Sequence, residues 1–249
     1  MPLPTWAKTR MEALFEQVDA DYHRKILDIL PRDPRSRLLD VGCDDGAWTA
    51  ELAARLGIPP SQVAGIEIVD ERREQAQARG FDVRAGDIEQ SWPFDPGSFD
   101  LVHANQVIEH VKRLDHFVDE CKRVLRPGGL ALICTENLAS WHNVAALVLG
   151  YQPFSVTNIS GRGNVGNPLA LHEESSFESW QHIHVMSLDA LRDVFLRGGF
   201  EIEDVFASGY YPAWGAVGSK LADRDPRHAH FIGVLARSRP ASAADGREA

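Results

Sequence analysis

The first residues along the chain that could take part in binding or catalysis lie in a short acidic loop. Residues 38–46 read LLDVGCDDG, an apolar run followed by a turn that carries three aspartates. Gly42 and Gly46 permit a tight turn and a close approach of a ligand to the backbone. In an open α/β sheet, a loop between a strand and the next helix lies where ligands bind. The segment therefore predicts a cofactor-binding loop.

Two kinds of cofactor compete for such a loop. A dinucleotide places its pyrophosphate at the helix N-terminus, where the carboxylates of Asp40, Asp44 and Asp45 would repel it. Asp44 also takes the position of the middle glycine that lets the backbone approach pyrophosphate. S-adenosylmethionine has no phosphate and carries a sulfonium and an ammonium. We therefore predict S-adenosylmethionine as the cofactor and keep a dinucleotide-dependent oxidoreductase as an alternative.

Polar residues also follow the next predicted strands. Glu67 ends the second strand, where an acid can accept both ribose hydroxyls. Asp87 follows the third strand and is expected to accept the adenine amine while Ile88 packs on the ring, although an aspartate there also fits a turn. Asn105 and Gln106 follow the fourth strand and are expected to meet the methionine portion. The predicted cofactor-binding set is Asp40, Gly42, Cys43, Asp44, Gly46, Glu67, Ile68, Asp87, Ile88, Asn105 and Gln106.

A repeated alternation of strands and helices must position these residues. Apolar runs predict strands over 37–41, 62–68, 81–85, 99–104, 130–135, 200–206 and 230–236. Apolar residues at three- and four-residue steps predict helices over 11–30, 47–56, 70–79, 114–125 and 187–198. Strand–helix alternation at this spacing implies parallel strands with right-handed crossovers. The predicted fold class is a doubly wound α/β domain.

The chain divides by composition into a helical N-terminal segment (1–34) and a main domain (35–238). Within that domain, residues 137–186 lack clear periodicity and are interpreted as a lid or acceptor-binding insertion. The tail, 239–249, is polar and rich in alanine and is predicted to be disordered. Aromatic residues of the insertion could line an apolar acceptor pocket or form a small core of their own. These are Trp141, Tyr151, Phe154, Phe177 and Trp180.

Charge and composition exclude several classes of function. The chain of 249 residues has a formal net charge of −10 and no run of lysine and arginine, so nucleic acid is not expected as a partner. No apolar run reaches about 18 residues, and the first residues lack a signal-peptide core. A cytoplasmic protein without a membrane span is therefore expected. The three cysteines are dispersed and form neither a disulfide framework nor a zinc pattern. The oligomeric state is left open.

Five segments together resemble class I S-adenosylmethionine-dependent methyltransferases: 39–46, 65–68, 86–88, 99–110 and 125–132. They are most similar to the small-molecule branch that includes the ubiquinone-biosynthesis O-methyltransferases. The resemblance implies a Rossmann-like, mostly parallel seven-stranded sheet with an antiparallel hairpin at its edge. It also implies methyl transfer to a small molecule, with oxygen as the expected acceptor atom and S-adenosylhomocysteine as the product.

The resemblance is carried over residue by residue. Asp40, Gly42 and Gly46 match the cofactor loop. Glu67, Asp87 and Asn105 match the ribose acid, the adenine acid and the strand-four position of the family. Asp44 departs from the family, which usually has glycine there. This departure keeps open a non-catalytic regulatory protein that binds S-adenosylmethionine.

Histidines supply the candidates for a general base, which a hydroxyl acceptor often needs. His110 follows the fourth strand and His142 lies beyond the fifth; both are predicted as catalytic, although His110 could instead hydrogen-bond at a helix start. His182 and His184 alternate, so both could face one side of an extended segment. No carboxylate accompanies them at a convincing spacing, so no metal site is predicted.

Overall fold

The computed structural model describes residues 5–160, 162–170, 181–213 and 215–240. Its centre is one sheet of seven strands. The strands are β1 (Leu38–Val41), β2 (Val63–Ile66), β3 (Asp82–Arg84), β4 (Phe99–Asn105), β5 (Leu125–Glu136), β6 (Phe200–Ser208) and β7 (Phe231–Ser238). They lie in the order β3-β2-β1-β4-β5-β7-β6, and β7 is antiparallel to both of its neighbours. The predicted doubly wound, mostly parallel seven-stranded sheet is confirmed.

Seven α-helices are present in the described residues. They are α1 (Thr5–Ile29), α2 (Ala47–Leu56), α3 (Asp70–Ala78), α4 (Leu114–Val124), α5 (Trp141–Val148), α6 (Leu188–Arg197) and α7 (Gly215–Arg224). Short 3-10 turns occur at Pro60–Gln62, Ile108–His110, Phe154–Val156 and Pro226–His228. Among these elements, no helix combines the length and the apolar character that crossing a bilayer requires.

The strand order reverses between β1 and β4, and this switch point organises the site. From β1 the chain proceeds outward through β2 and β3, and then returns to the other side of β1 as β4. The two strands pair in parallel with Asp40 opposite His103. In open α/β sheets, ligands bind beyond the carboxyl ends of the strands at such a point.

Side chains of β1 and β4 alternate between two buried clusters, one on each face of the sheet. Leu39 and Val102 belong to the larger cluster with α4 and α6, whereas Leu38 and Leu101 pack with α1 and α2. Asp40 and His103 follow Leu38 and Leu101 by two residues. Both polar side chains therefore lie on the sheet face that α1 and α2 cover.

The first helix is part of this packing. Val18, Tyr22 and Ile26 are buried against the sheet at helical spacing. Lys25, also buried, donates to the carbonyl oxygen of Ala207 at 2.7 Å and to the carboxylate of Asp223 at 2.6 Å. The helix is thereby joined both to β6 and to α7.

The structure differs from the sequence prediction mainly at two places. β5 begins at Leu125, five residues before the predicted start at 130, because Leu125 already pairs with Phe99 across a register irregularity. The helices α5 and α7 were not predicted; α7 begins with glycine and contains Gly218, which lowers its helix propensity. Residues 171–180, with Phe177 and Trp180, and the tail from 241 lie outside the described residues.

Candidate cofactor and acceptor site

The two glycines of the loop after β1 are held by close packing. Gly42 has φ +70°, and a Cβ there would lie 2.7 Å from the Val107 side chain. Gly46 has φ +77° at the start of α2, and its Cβ would lie 3.0 Å from the Cβ of Ala76. A left-handed backbone and such short contacts both favour glycine. The loop is therefore closely packed between Val107, which follows β4, and α3.

The aspartates at the tip of the loop pair with arginines. Asp44 forms an ion pair with Arg72, and the carboxylate of Asp45 lies 3.3 Å from Arg79. Asp44 has φ +52°, a conformation that glycine favours and aspartate tolerates. The negative charge that the sequence places in the loop is thus partly neutralised, and the charge argument against a dinucleotide is weaker than expected. The sequence pattern could not foresee these partners, because they lie on the next helical segment.

The third aspartate of the loop points inward. Asp40 is buried, and one carboxylate oxygen accepts the hydroxyl of Thr49 at 2.5 Å. The other oxygen lies 2.7 Å from Nδ1 of His103, which is fully buried. Within the part of the chain that the structure describes, Nε2 of His103 has no hydrogen-bond partner. Both carboxylate oxygens of Asp40 therefore have a partner within the protein.

A cleft of about 150 Å³ opens at the carboxyl ends of β1 and β4. Its lining consists of His23, Asp40, Gly42, Cys43, Asp44, Trp48, His103 and Asn105. Asp40, Gly42, Cys43, Asp44 and Asn105 are members of the predicted cofactor set. The other three lining residues, His23 on α1, Trp48 on α2 and His103 on β4, are not among the residues predicted from the sequence.

Glu67, at the end of β2, supports the loop rather than lining the cleft. One carboxylate oxygen accepts the backbone N–H of Asp44 at 3.0 Å, and the other accepts that of Val69 at 2.8 Å. The side chain is buried. Each carboxylate oxygen can accept a second hydrogen bond, so capacity for ribose hydroxyls remains. The neighbouring Ile68 is 60% exposed.

The predicted adenine-binding pair lies apart from the cleft lining. Asp87 is exposed, and its side chain accepts the backbone N–H of Glu89 at 2.9 Å. This contact is the turn geometry that an aspartate in such a position commonly forms. Ile88 is half-buried and packs against the larger hydrophobic cluster. Recognition of adenine by this pair remains a prediction.

The residues that end β4 are tied to the first helix. The hydroxyl of Tyr22 donates to Oδ1 of Asn105, and the amide of Gln106 lies 3.2 Å from the Tyr22 oxygen. Burial raises the pKa of Tyr22 well above its ordinary value, so the phenol keeps its proton. Asn105 lines the cleft, whereas Gln106, with φ +54°, is not part of its lining.

His110 lies in a cluster of three ligand-type side chains. Burial and the neighbouring His182 lower the pKa of His110 to about 4, and the two rings are 4.9 Å apart. Glu109 is fully buried and accepts the Thr135 hydroxyl at 2.9 Å; burial raises its pKa to about 8. Ligand atoms of Glu109, His110 and His182 lie within 4.8 Å of one another and could hold a metal ion. The grouping could not be predicted from the sequence, because His182 is far from Glu109 and His110 along the chain and meets them only in the folded protein.

His142, on α5, lies in a ring of aromatic side chains. Its ring is 5.5 Å from Phe154, 5.2 Å from Tyr211 and 4.6 Å from His230. Burial lowers the pKa of His142 to about 4, and lowers that of His230 well below the ordinary value. Both imidazoles are therefore neutral at physiological pH. His230, directly before β7, was not among the sequence candidates.

Glu136, the last residue of β5, lies between the two histidine groups. Its charge raises the pKa of Glu109 on one side, and adds to the burial that raises the pKa of Tyr211 to about 12 on the other. One of its oxygens is 3.8 Å from Nδ1 of His182. The fold thus brings the groups of His110 and His142 around the same strand end.

Comparison with known proteins extends these observations. A methyltransferase-domain family matches residues 14–205. The mitochondrial ubiquinone biosynthesis O-methyltransferase of Rattus norvegicus is 29% identical over 188 residues, covering 72% of this chain and 48% of that protein. The corresponding enzyme of Sinorhizobium fredii is 33% identical over 136 residues, covering 49% of this chain and 53% of that protein. The chain spans about half the length of these curated relatives.

A solved structure agrees with the fold. An S-adenosylmethionine-dependent methyltransferase from Mesorhizobium loti superposes with a TM-score of 0.58 at 17% identity, covering 90% of this chain and 99% of that one. The residues of the cleft fit the family's cofactor, because the glycine loop leaves no room for a Cβ and the acidic side chains of Asp40 and Asp44 in the lining suit its positive charges. S-adenosylmethionine is that cofactor. The chain belongs to the class I S-adenosylmethionine-dependent methyltransferase family.

Proposed function

We propose that the protein transfers the methyl group of S-adenosylmethionine to an oxygen atom of a small molecule with an aromatic or lipid-like body. The observation that carries this proposal is the environment of His142, a half-buried neutral imidazole among Phe154, Tyr211 and His230. Such a setting suits an apolar acceptor with one polar group to be oriented. The names of the relatives, ubiquinone biosynthesis O-methyltransferases, support the same substrate class.

The cofactor, when bound, supplies a methyl group that its sulfonium has already activated. The residues of the protein then have to align the acceptor hydroxyl and take up its proton. Within the described residues, the His142 ring contacts the rings of Phe154, Tyr211 and His230. We propose that one nitrogen of this ring accepts the hydroxyl proton. A pKa of about 4 suffices, because a hydroxyl becomes strongly acidic as its oxygen is alkylated.

We propose further that residues 137–186 act as a lid over the acceptor. In support of this role, α5 of this segment supplies His142, and His182 from its other end packs against His110. Several apolar side chains of α5 and the residues after it are exposed, including Leu147, Val148 and Leu149. They are suited to contact an apolar acceptor as it enters.

Methyl transfer to a panel of phenols, catechols, alkyl-substituted phenols, carboxylic acids and amines tests this proposal, with products identified by mass spectrometry. We expect O-methylated products, and a fall in kcat of about 100-fold for His142→Gln. His116→Gln is the matched control, because His116 lies near the surface, where its Nε2 is 3.0 Å from the Gln90 carbonyl oxygen. Turnover of amines alone would contradict oxygen as the acceptor atom. Cofactor binding without turnover of any acceptor would favour the regulatory alternative.

A further inference from the structure

Glu136, the last residue of β5, is a carboxylate that the proposed methyl transfer does not use. Its side chain is only 20% exposed. Within the part of the chain that the structure describes, its buried oxygen Oε2 has no hydrogen-bond partner. Nδ1 of His182 lies 3.8 Å from this oxygen, but only 2.6 Å from the carbonyl oxygen of Ser155. A buried acceptor of this kind is costly until a donor reaches it, so a ligand with a donor group would be favoured here.

The register of the sheet places Glu136 beyond the cofactor cleft. Two residues earlier in β5, Cys134 pairs with Asn105, which lines the cleft. Cys134 belongs to the buried cluster on the sheet face that α1 and α2 cover. Side chains two residues apart on a strand share a face, and Phe231, which pairs with Glu136, belongs to the same cluster. Glu136 therefore lies on the face of the cleft, about 7 Å further along the strand than Cys134.

Glu136 is also close to the aromatic group around His142. Burial, and after it the charges of Glu136 and Asp19, raise the pKa of Tyr211 to about 12. The ring of Tyr211 is 5.2 Å from that of His142. Glu136 thus lies between the cofactor cleft and the ring that is proposed to take up the acceptor's proton.

The groups around Glu136 leave this region with a negative charge. Because burial lowers the pKa values of His142 and His230, both rings are neutral at physiological pH. Tyr211 keeps its proton, and Asp19 adds a second acid to its surroundings. The segment that follows the strand, residues 137–160, contains no lysine or arginine. A charge in such a partly desolvated place acts on a ligand more strongly than it would in water.

We propose that Glu136 determines which acceptors the site takes according to their charge. The inference rests on the proposed function, methyl transfer to an oxygen atom of a small molecule. Acceptors whose body carries a neutral or positively charged hydrogen-bond donor are taken, because the donor supplies the missing partner of Oε2. Acceptors that carry a carboxylate are rejected, because two like charges would meet in a partly buried site. Glu136 is thus a specificity-determining residue, while His142 receives the proton of the hydroxyl.

O-methylation of three catechols tests this proposal: 4-methylcatechol, which is neutral, 3,4-dihydroxybenzoate, which is negatively charged, and 3,4-dihydroxybenzylamine, which is positively charged. For Glu136→Gln relative to wild type, we expect kcat/KM to rise about 10-fold with the benzoate and to fall about 3- to 10-fold with the benzylamine. With 4-methylcatechol we expect a change of less than about threefold. Each comparison uses two proteins and one acceptor, so the intrinsic reactivity of the catechols cancels.

Glu201→Gln is the matched control, because it removes the same charge from an exposed position near the start of β6. Since β6 runs parallel to β5, this position lies at the opposite edge of the sheet. We expect the control to behave as wild type with all three acceptors. The same factor with all three catechols in Glu136→Gln would overturn the inference, as would an unchanged charge preference. O-methylated product from none of them in the wild-type protein would contradict the proposed function, and the inference with it.

Discussion

The carboxylate of Glu67 accepts the backbone N–H of Asp44 at 3.0 Å, which joins the end of β2 to the tip of the loop after β1. The same side chain accepts the N–H of Val69 with its other oxygen. A residue predicted to contact ribose therefore also holds the shape of the loop that receives the cofactor. We therefore expect loop geometry and ligand affinity to be coupled through this side chain.

Glu67→Gln tests this coupling. The amide keeps one acceptor oxygen, but its NH₂ group faces a backbone N–H that has lost its partner. We expect the affinity for S-adenosylhomocysteine, measured by calorimetry, to fall by about 10- to 100-fold. Glu71→Gln, at an exposed position in the first turn of α3, should leave the affinity unchanged. Wild-type affinity in Glu67→Gln would show that the loop holds its shape without this carboxylate.

A pair of glycine substitutions separates backbone strain from crowding. Gly46 and Gly97 have similar φ angles, +77° and +66°, but a Cβ at Gly46 would lie 3.0 Å from Ala76, whereas nothing lies within 4 Å at Gly97. Gly97→Ala is therefore expected to cost about 1 kcal/mol of unfolding free energy, for the left-handed backbone alone. Gly46→Ala should cost about 2–4 kcal/mol, since overpacking adds to the strain. Urea denaturation measures both, and equal costs would refute the crowding at Gly46.

The buried Glu109 predicts a specific dependence of stability on pH. Its pKa is raised from an ordinary 4.5 to about 8, so the folded protein retains a proton that the unfolded chain releases between these values. Stability should therefore fall as the pH rises from about 5 to 8. Glu109→Gln removes this titration, and its melting temperature relative to wild type should increase across that range.

Thermal denaturation at pH 5, 6.5 and 8 measures this effect. Glu51→Gln, at an exposed position on α2, serves as the control and should follow the wild-type profile. Parallel profiles for Glu109→Gln and wild type would mean that Glu109 is ionised in the folded protein throughout. The histidines at positions 110 and 142, with pKa values of about 4, act in the opposite direction between pH 4 and 6.5, in all three proteins alike.

The hydrogen bonds of Lys25 should contribute to the stability of the packing between the first helix and the rest of the protein. Lys25→Ala leaves the Ala207 carbonyl and Asp223 without their partner. We expect a loss of about 1–3 kcal/mol in unfolding free energy, typical of a hydrogen-bonded charge in a mostly buried position. Lys220→Ala, on the exposed side of α7, should change it by less than about 0.5 kcal/mol. A loss no larger than that of the control would contradict a structural role for the helix in this domain.

The strand–helix order and the glycine loop were predictable because both are local patterns. Alternating apolar runs define β1 and α2, and a glycine at the start of a helix leaves a direct trace in the sequence. No local pattern in the sequence indicates that His103 lines the cleft. Its importance depends on the parallel pairing that places it opposite Asp40, and pairing registers are set by the whole sheet.

The histidine groups near β5 could likewise be predicted only in part from the sequence. His142 and His110 were recognisable by residue type, but their neighbours His230 and Glu109 acquire significance only when β7 and the turn after β4 are folded against β5. The pKa values of these groups depend on burial, which the sequence does not specify. For Asp87, local turn chemistry explains its observed contact with Glu89.

The central claim, that this cleft holds S-adenosylmethionine, is tested most directly by calorimetric titration of the wild-type protein with S-adenosylhomocysteine and NAD. The account predicts one S-adenosylhomocysteine site per chain with a Kd of about 1–100 µM, and no effect of NAD on that binding. Correctly folded protein that gives no heat with S-adenosylhomocysteine, or that binds NAD at a site from which S-adenosylhomocysteine cannot displace it, would contradict the account.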